Sequence, residues 1–223
     1  MNEAQTITEV VTSVLAYGYR VIVVDDASTD TTAKKAKNAG AVVLTNVKNL
    51  GAWKATQAGL RYAKKLGAER VVTMDADGQH HAEGIETLLH CSRQGADVVI
   101  GSCTSRGSTG RHIAWRFFKM FNKLPVNDIT SGFRLYNKKA LDSLTSRQAT
   151  MFEYQCVGVL LMMRNLGLSI REAPVNMQER ATGVSRIFHS WLAVGYYLLY
   201  SGVLSLSKAF PTKKERYLQR LQD

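Results

Sequence analysis

Four short apolar runs organise the first half of the chain: Arg20–Asp26, Ala41–Asn46, Arg70–Met74 and Ala96–Gly101. Each is rich in Val or Ile and is closed by turn residues. Their apolar character is continuous, not alternating, which predicts strands buried on both faces of a parallel sheet. Between them, Thr31–Ala39, Gly51–Leu66 and Ala82–Gln94 have helical spacing, and Ala4–Ala16 reads as a helix ahead of the first run. Strand and helix alternate, so the pattern predicts a doubly wound α/β sheet. The second half is less regular. Ile129–Tyr136 and Ser169–Val175 read as strands, with Pro174 marking an edge or a turn. Met151–Leu166 reads as a buried helix. From Ile187 to Ser207 no residue carries a fixed charge, and a basic tail, Lys208–Asp223, follows.

Composition narrows this little but usefully. With 45% apolar residues and three prolines in 223 residues, the chain has material for one real core. Cys91, Cys103 and Cys156 are odd in number and widely spaced, so no disulfide framework or zinc site is expected, only buried reduced thiols. Lys and Arg number 29 against 18 Asp and Glu, a net charge of +11 that implies an anionic partner. Helix-turn-helix, zinc-finger and aromatic RNA-binding patterns are absent, so nucleic acid is not the expected one. The polar start, Met1-Asn2-Glu3-Ala4-Gln5, lacks the basic lead of a signal peptide.

Chemistry gathers where the predicted strands end. The first run closes on Asp25-Asp26, with Ser28, Asp30 and Thr32 following on a loop into a helix. Parallel sheets bind ligands at the carboxyl ends of their strands. A carboxylate there can accept hydrogen bonds from a ribose or a base edge, whereas Asp30 reads rather as a helix cap. The third run leads into Asp75-Ala76-Asp77-Gly78-Gln79. Alternating carboxylates on a tight turn can converge on a hard cation, and Mg²⁺ or Mn²⁺ keeps positions open for phosphate oxygens. Gly78 frees the turn. A calcium loop would need a 12-residue ligand ladder closed by Glu, which is missing. Asn49, Gly51, Ala55 and Gly59 form a third element, in which Ala55 and Gly59 read as close helix-to-sheet packing.

Together these blocks resemble glycosyltransferase family 2, in particular its dolichyl-phosphate mannose synthase and polyprenyl-phosphate sugar synthase branch. Val23-Val24-Asp25-Asp26-Ala27-Ser28-Thr29-Asp30 resembles the nucleoside-binding motif, and Asn49-x-Gly51 the next block. Asp75-Ala76-Asp77-Gly78-Gln79 resembles the metal motif. Asp128-Ile129-Thr130-Ser131-Gly132-Phe133-Arg134 resembles the block that marks the branch. The match covers nearly the whole chain. It implies a GT-A (Rossmann-like) fold, a mixed and mostly parallel sheet flanked by helices, over residues 1–186. It also implies inversion at the anomeric carbon and a Mg²⁺ or Mn²⁺ cofactor.

Residue by residue, the resemblance assigns Glu3, Asp25, Asp26, Ser28, Asn49, Gly51, Asp75 and Ala76 to the nucleotide sugar. Asp75, Asp77 and Gln79 fall to the metal, and Asp77, Arg134 and Glu153 to catalysis. Arg106, Ser131, Arg134, Arg180 and Arg186 fall to the acceptor phosphate, which suits the planar fork of arginine. The implied donor is GDP-mannose or a UDP-sugar, and the implied acceptor a polyprenyl or dolichyl phosphate. A phosphate monoester needs no general base, because its second pKa is about 6. The Glu-Asp and Gln-x-x-Arg-Trp signatures of relatives that act on sugar hydroxyls are absent. The alternatives are a transferase acting on a saccharide hydroxyl and a non-catalytic nucleotide- or membrane-binding remnant. A nucleotidyltransferase would show a Gly-rich N-terminal loop with Lys or Arg.

Two features extend the expectation. Relatives place a first strand and a Pro-x-Tyr-Asn-Glu block before the first helix, and Asn2-Glu3 resembles that block's end. Neighbouring strands are then expected to lack a partner. Residues 187–223 are expected to form a membrane-interfacial or packing helix plus a basic tail. Basic residues on both sides of 187–207 give no positive-inside asymmetry, which disfavours a span. The protein is therefore expected on the cytoplasmic face of a membrane, peripherally bound to anionic lipid, with homo-oligomerisation left open.

Overall fold

The computed structural model describes residues 1–103, 126–153 and 157–178. Arg106, Arg180, Arg186, Cys156 and the whole 187–223 segment lie outside the described residues.

The elements run α1 (Ile7–Ala16), β1 (Ile22–Asp25), α2 (Thr32–Asn38), β2 (Val42–Thr45), α3 (Ala52–Lys65), β3 (Arg70–Thr73), α4 (Gly84–Arg93), β4 (Val98–Ser102), β5 (Arg134–Asn137), α5 (Lys138–Leu144), α6 (Val157–Asn165) and β6 (Ile170–Pro174). Strands β1 and β2 pair in parallel. The other four form a sheet in the order β3-β5-β4-β6. In it β5 runs against both neighbours, while β4 and β6 are parallel. Among the described residues β1 bonds to no strand but β2, and β3 to none but β5. Helix α3 bridges the division. A Cβ on Gly59 would lie 3.0 Å from Val24 Cγ2, so the helix sits directly on β1. Also on α3, Trp53 and Leu60 enter the main core, against which Val71 of β3 packs.

The α/β rhythm of the first half stands, with element ends moved by no more than three residues, but of its four strands only β4 is buried, β1 to β3 being largely half-buried or exposed. The second half needs correction. The run Ile129–Tyr136 contains a strand only from Arg134 onward. Before it, Asp128 Oδ1 accepts hydrogen bonds from the Thr130 amide (3.2 Å) and hydroxyl (3.0 Å), which turns the chain. The buried helix is also shorter than Met151–Leu166. Ala149–Met151 is a 3-10 turn, and Phe152 is extended and buried, which ends it. Helix α5, seven residues long, buries Ala140, Leu141, Ser143 and Leu144. Asn137 starts it, its Oδ1 accepting from Ala140 N at 3.0 Å. Pro174 closes β6, which is an edge strand among the described residues. Cys91 and Cys103 are half-buried, not buried.

Asp30 lies one residue ahead of the N-cap position, Thr31, and turns the chain into α2. Its carboxylate accepts from the Thr32 hydroxyl and amide at the start of α2 and from Ala4 N. Chiefly through the Thr32 hydroxyl, these bonds hold its pKa below the ordinary aspartate value. A lowered folded-state pKa gives stability that is present above the unfolded value of about 3.9 and lost as pH falls through the folded one. Asp30→Ala is therefore expected to lower Tm at pH 7, and this deficit should shrink in melts below pH 3.

Candidate active site

Four loops meet at the carboxyl ends of β1 and β3. The first follows β1. Asp25 is buried, and its carboxylate accepts from the Ser28 hydroxyl and from Ser28 N at 3.2 Å. Asp26 is buried too. Its Oδ1 accepts from Asn46 Nδ2 (2.9 Å) and Leu50 N (2.8 Å), and its Oδ2 from Gly51 N (2.9 Å). Asp26 thus fastens the second loop to the end of β1 and sets an anion at the N-terminus of α3, where the helix dipole favours one. Asn49 Oδ1 also accepts from Gly51 N at 2.9 Å. Gly51 has φ 87°, a left-handed backbone that glycine adopts without strain.

The chain's first residues lie across this loop. Asn2 N donates to Ser28 Oγ at 2.9 Å, and Glu3 N to Thr32 Oγ1 at 2.8 Å. Thr6 Oγ1 reaches the third loop, donating to Ala76 O at 2.6 Å. Residues 2–6 therefore tie the β1 loop to the β3 loop.

The third loop carries Asp75 and Asp77. Asp75 is exposed, and its carboxylate takes no hydrogen bond from any described residue. Asp77 is buried, with Gln79 N donating to its Oδ1 at 3.1 Å. Gly78 turns the chain at φ 80°. From the far side Gln178 N donates to Gln79 O at 2.9 Å, and His80 bridges to Met177. Among the described residues no three His, Cys, Asp or Glu side chains converge as a complete cage. Two carboxylates on one turn, one of them without a donor, fit a hard divalent cation whose remaining ligands are water and substrate phosphate.

The fourth loop, Asp128–Gly132, leans on the third. A Cβ on Gly132 would fall 2.7 Å from Asp75 Oδ2, so only glycine leaves that carboxylate where it is. Thr73 Oγ1 donates to Gly132 O at 2.8 Å. Arg134 is fully buried. Its Nε donates to Ser131 O (2.7 Å) and its Nη2 to Ile129 O (2.8 Å), so the guanidinium shapes this loop from inside. Ser131 is buried, its Oγ accepting from Phe133 N at 3.3 Å. Glu172 holds the loop's start, accepting from Asn127 N, Asn127 Nδ2 and Asp128 N at 2.6–2.8 Å. Glu153 lies exposed, on the chain beyond the 3-10 turn. The structure thus brings together Glu3, the Asp25–Ser28 loop, the Asn49–Gly51 loop, the Asp75–Gln79 loop and Ser131–Arg134. Sequence reasoning missed His80 and the contact of Gly132 with Asp75. His80 directly follows Gln79, which was the available signal for it.

The chain is similar to known proteins in both sequence and fold. Residues 1–145 match the description "Glycosyl transferase family 2". The polyprenol monophosphomannose synthase of Mycolicibacterium smegmatis is 30% identical over 185 residues, 75% of this chain and 69% of that protein. The undecaprenyl-phosphate mannosyltransferase of Micrococcus luteus is 32% identical over 184 residues, 75% of each chain. Among solved structures, glucosyl-3-phosphoglycerate synthase from Mycobacterium tuberculosis, in complex with Mn²⁺, UDP and phosphoglyceric acid, has the same fold. It superposes with a TM-score of 0.70 at 20% identity, over 95% of this chain and 76% of that one. The chain belongs to glycosyl transferase family 2 and is a glycosyltransferase.

Proposed function

We propose that the protein transfers a sugar from a nucleoside-diphosphate sugar to a polyprenyl phosphate, with inversion at the anomeric carbon. The observation that carries the reading is the placement of Gly132, in the block that marks the polyprenyl-phosphate branch, against the Asp75 carboxylate. Donor and acceptor elements are in contact there. The mannosyltransferases named above, which act on polyprenol and undecaprenyl phosphates, support the acceptor class.

Asp75 and Asp77 would hold a Mg²⁺ or Mn²⁺ ion, with Gln79 beside them. Bound there, the ion supplies Lewis-acid neutralisation of the charge that grows on the departing diphosphate. The chain's own residues position the reactants. Asp25 and Ser28 face the nucleoside, and Asp26 with Asn49 and Gly51 shapes the wall of that pocket. Arg134 and Ser131 set the form of the acceptor loop from within. Arg106, Arg180 and Arg186 are proposed to contact the acceptor phosphate. A dianionic phosphate attacks without a general base, which leaves Glu153 an orienting role. The net charge of +11 suits a protein that works against an anionic membrane surface. Among the described residues no helix is long and apolar enough to cross a membrane, and peripheral attachment through 187–223 is the proposed arrangement.

The test is direct. The protein is incubated with undecaprenyl phosphate or dolichyl phosphate, Mn²⁺, and GDP-mannose or UDP-sugars. A lipid-linked sugar that chelator abolishes is the expected product. Transfer to a free saccharide, with none to either lipid phosphate, would sink the acceptor assignment.

A further inference from the structure

His80 is one of the few buried titratable side chains that the proposed reaction does not use, with 5% of its surface exposed. Its Nδ1 accepts a hydrogen bond from the backbone N–H of Asp75 at 3.2 Å. A ring nitrogen that accepts carries no proton, so the neutral ring's hydrogen sits on Nε2. One face of the imidazole stacks on Phe133, with centroids 5.0 Å apart and planes 17° from parallel.

Phe133 cannot shift away. It is fully buried, and a Cβ on either Gly84 or Gly101 would come within 2.8 Å of its ring. Its carbonyl accepts from Gly101 N at 2.8 Å. The next residue toward the site is Gly132, whose Cα faces the Asp75 carboxylate. Asp75 is therefore held twice by one assembly. His80 fixes its backbone, and Gly132 defines the space its carboxylate occupies. Phe133 joins the two.

We infer that His80 is a positioning residue that sets the Asp75 carboxylate for cation binding and couples it to the acceptor loop through Phe133. The inference rests on the metal reading above. Supporting groups of this kind typically alter metal affinity about 10- to 100-fold when replaced.

Two substitutions separate the ring's two contacts. His80→Asn keeps an acceptor where Nδ1 lies and loses the stacked ring. His80→Phe keeps the ring and loses the acceptor. Mn²⁺ uptake is followed by electron paramagnetic resonance in the presence of GDP and, separately, UDP. Hydrogen exchange of the Asp75 amide is followed in the metal-free protein. For His80→Phe the expected results are Mn²⁺ binding weakened at least ~10-fold and faster exchange at Asp75, with Tm near that of the parent. For His80→Asn, binding within ~3-fold of the parent and a protected Asp75 amide are expected. Equal Mn²⁺ affinity in His80→Phe and the parent would overturn the inference, as would equal losses in both variants. A parent protein that takes up no Mn²⁺ with either nucleotide would instead overturn the metal reading, and this inference with it. The exchange measurement needs no metal, so it reports on the hydrogen bond in either case.

Discussion

Asp77→Asn is expected to lower kcat/KM for sugar transfer by at least ~100-fold while leaving the fold intact, the scale seen when one group that stabilises transition-state charge is removed. The amide matches the carboxylate in size and still accepts a hydrogen bond from Gln79 N, which now reaches Asp77 Oδ1 at 3.1 Å. What it lacks is charge. Leaving-group charge in this reaction grows beside the Asp75–Gln79 turn, and a neutral side chain no longer balances a dication placed against it. Asp77 is buried whereas Asp75 is exposed. Removing charge from the buried member therefore has the larger effect, because low surrounding dielectric strengthens its interactions. Two measurements check this: steady-state transfer at several Mn²⁺ concentrations, and a thermal melt. Full activity in a well-folded Asp77→Asn protein would remove Asp77 from the site. A loss that excess Mn²⁺ restores would point to binding alone, and a loss it does not restore to the chemical step.

What the sequence made legible follows from locality. Strands β1 to β4 and helices α1 to α4 are read from runs of a few residues, and continuous Val/Ile character marks a strand without knowledge of its neighbours, although only β4 is buried along its apolar residues. Asp25, Asp26, Asp75 and Asp77 were visible for the same reason: each lies at or just beyond the end of a strand. The second half was less legible because its shape is set at a distance. Ile129–Gly132 runs straight into β5 and reads with it as one strand, yet Asp128 turns it, and Arg134 folds its guanidinium back onto the carbonyls of Ile129 and Ser131. A buried arginine serving backbone carbonyls looks, in sequence, the same as one awaiting a phosphate. The contact of Gly132 with Asp75 joins residues 57 apart in number, and no local pattern encodes it. His80 fell between the two cases. It stands next to a recognised motif, but its role depends on Phe133, which the chain brings up from β5.

The second carboxylate of the first motif illustrates the same point and gives the largest expected stability effect. Asp26 looks like a nucleotide ligand in sequence, but its oxygens accept from Asn46 Nδ2, Leu50 N and Gly51 N, all at 2.8–2.9 Å. Asp26→Ala would strip three donors of a charged acceptor in a site where Asp26 itself is only 7% exposed. Hydrogen bonds to charged groups contribute roughly 1.5–3 kcal/mol each. Losses are not additive, and water can reach part of the loop, so a total near ~3 kcal/mol is expected. That is a large share of the ~5–15 kcal/mol that holds a typical domain folded. Asp26→Asn should lose less, because one carbonyl oxygen still accepts, although its NH₂ then meets an N–H of Leu50 or Gly51. Urea melts of both variants, read beside binding of GDP and UDP, separate fold from ligand. A fall in stability ordered Ala below Asn below the parent supports the loop-anchoring role. Unchanged melts with lost nucleotide binding would return Asp26 to the nucleotide, and would mean that the Asn46–Gly51 loop keeps its form without the carboxylate that now holds it.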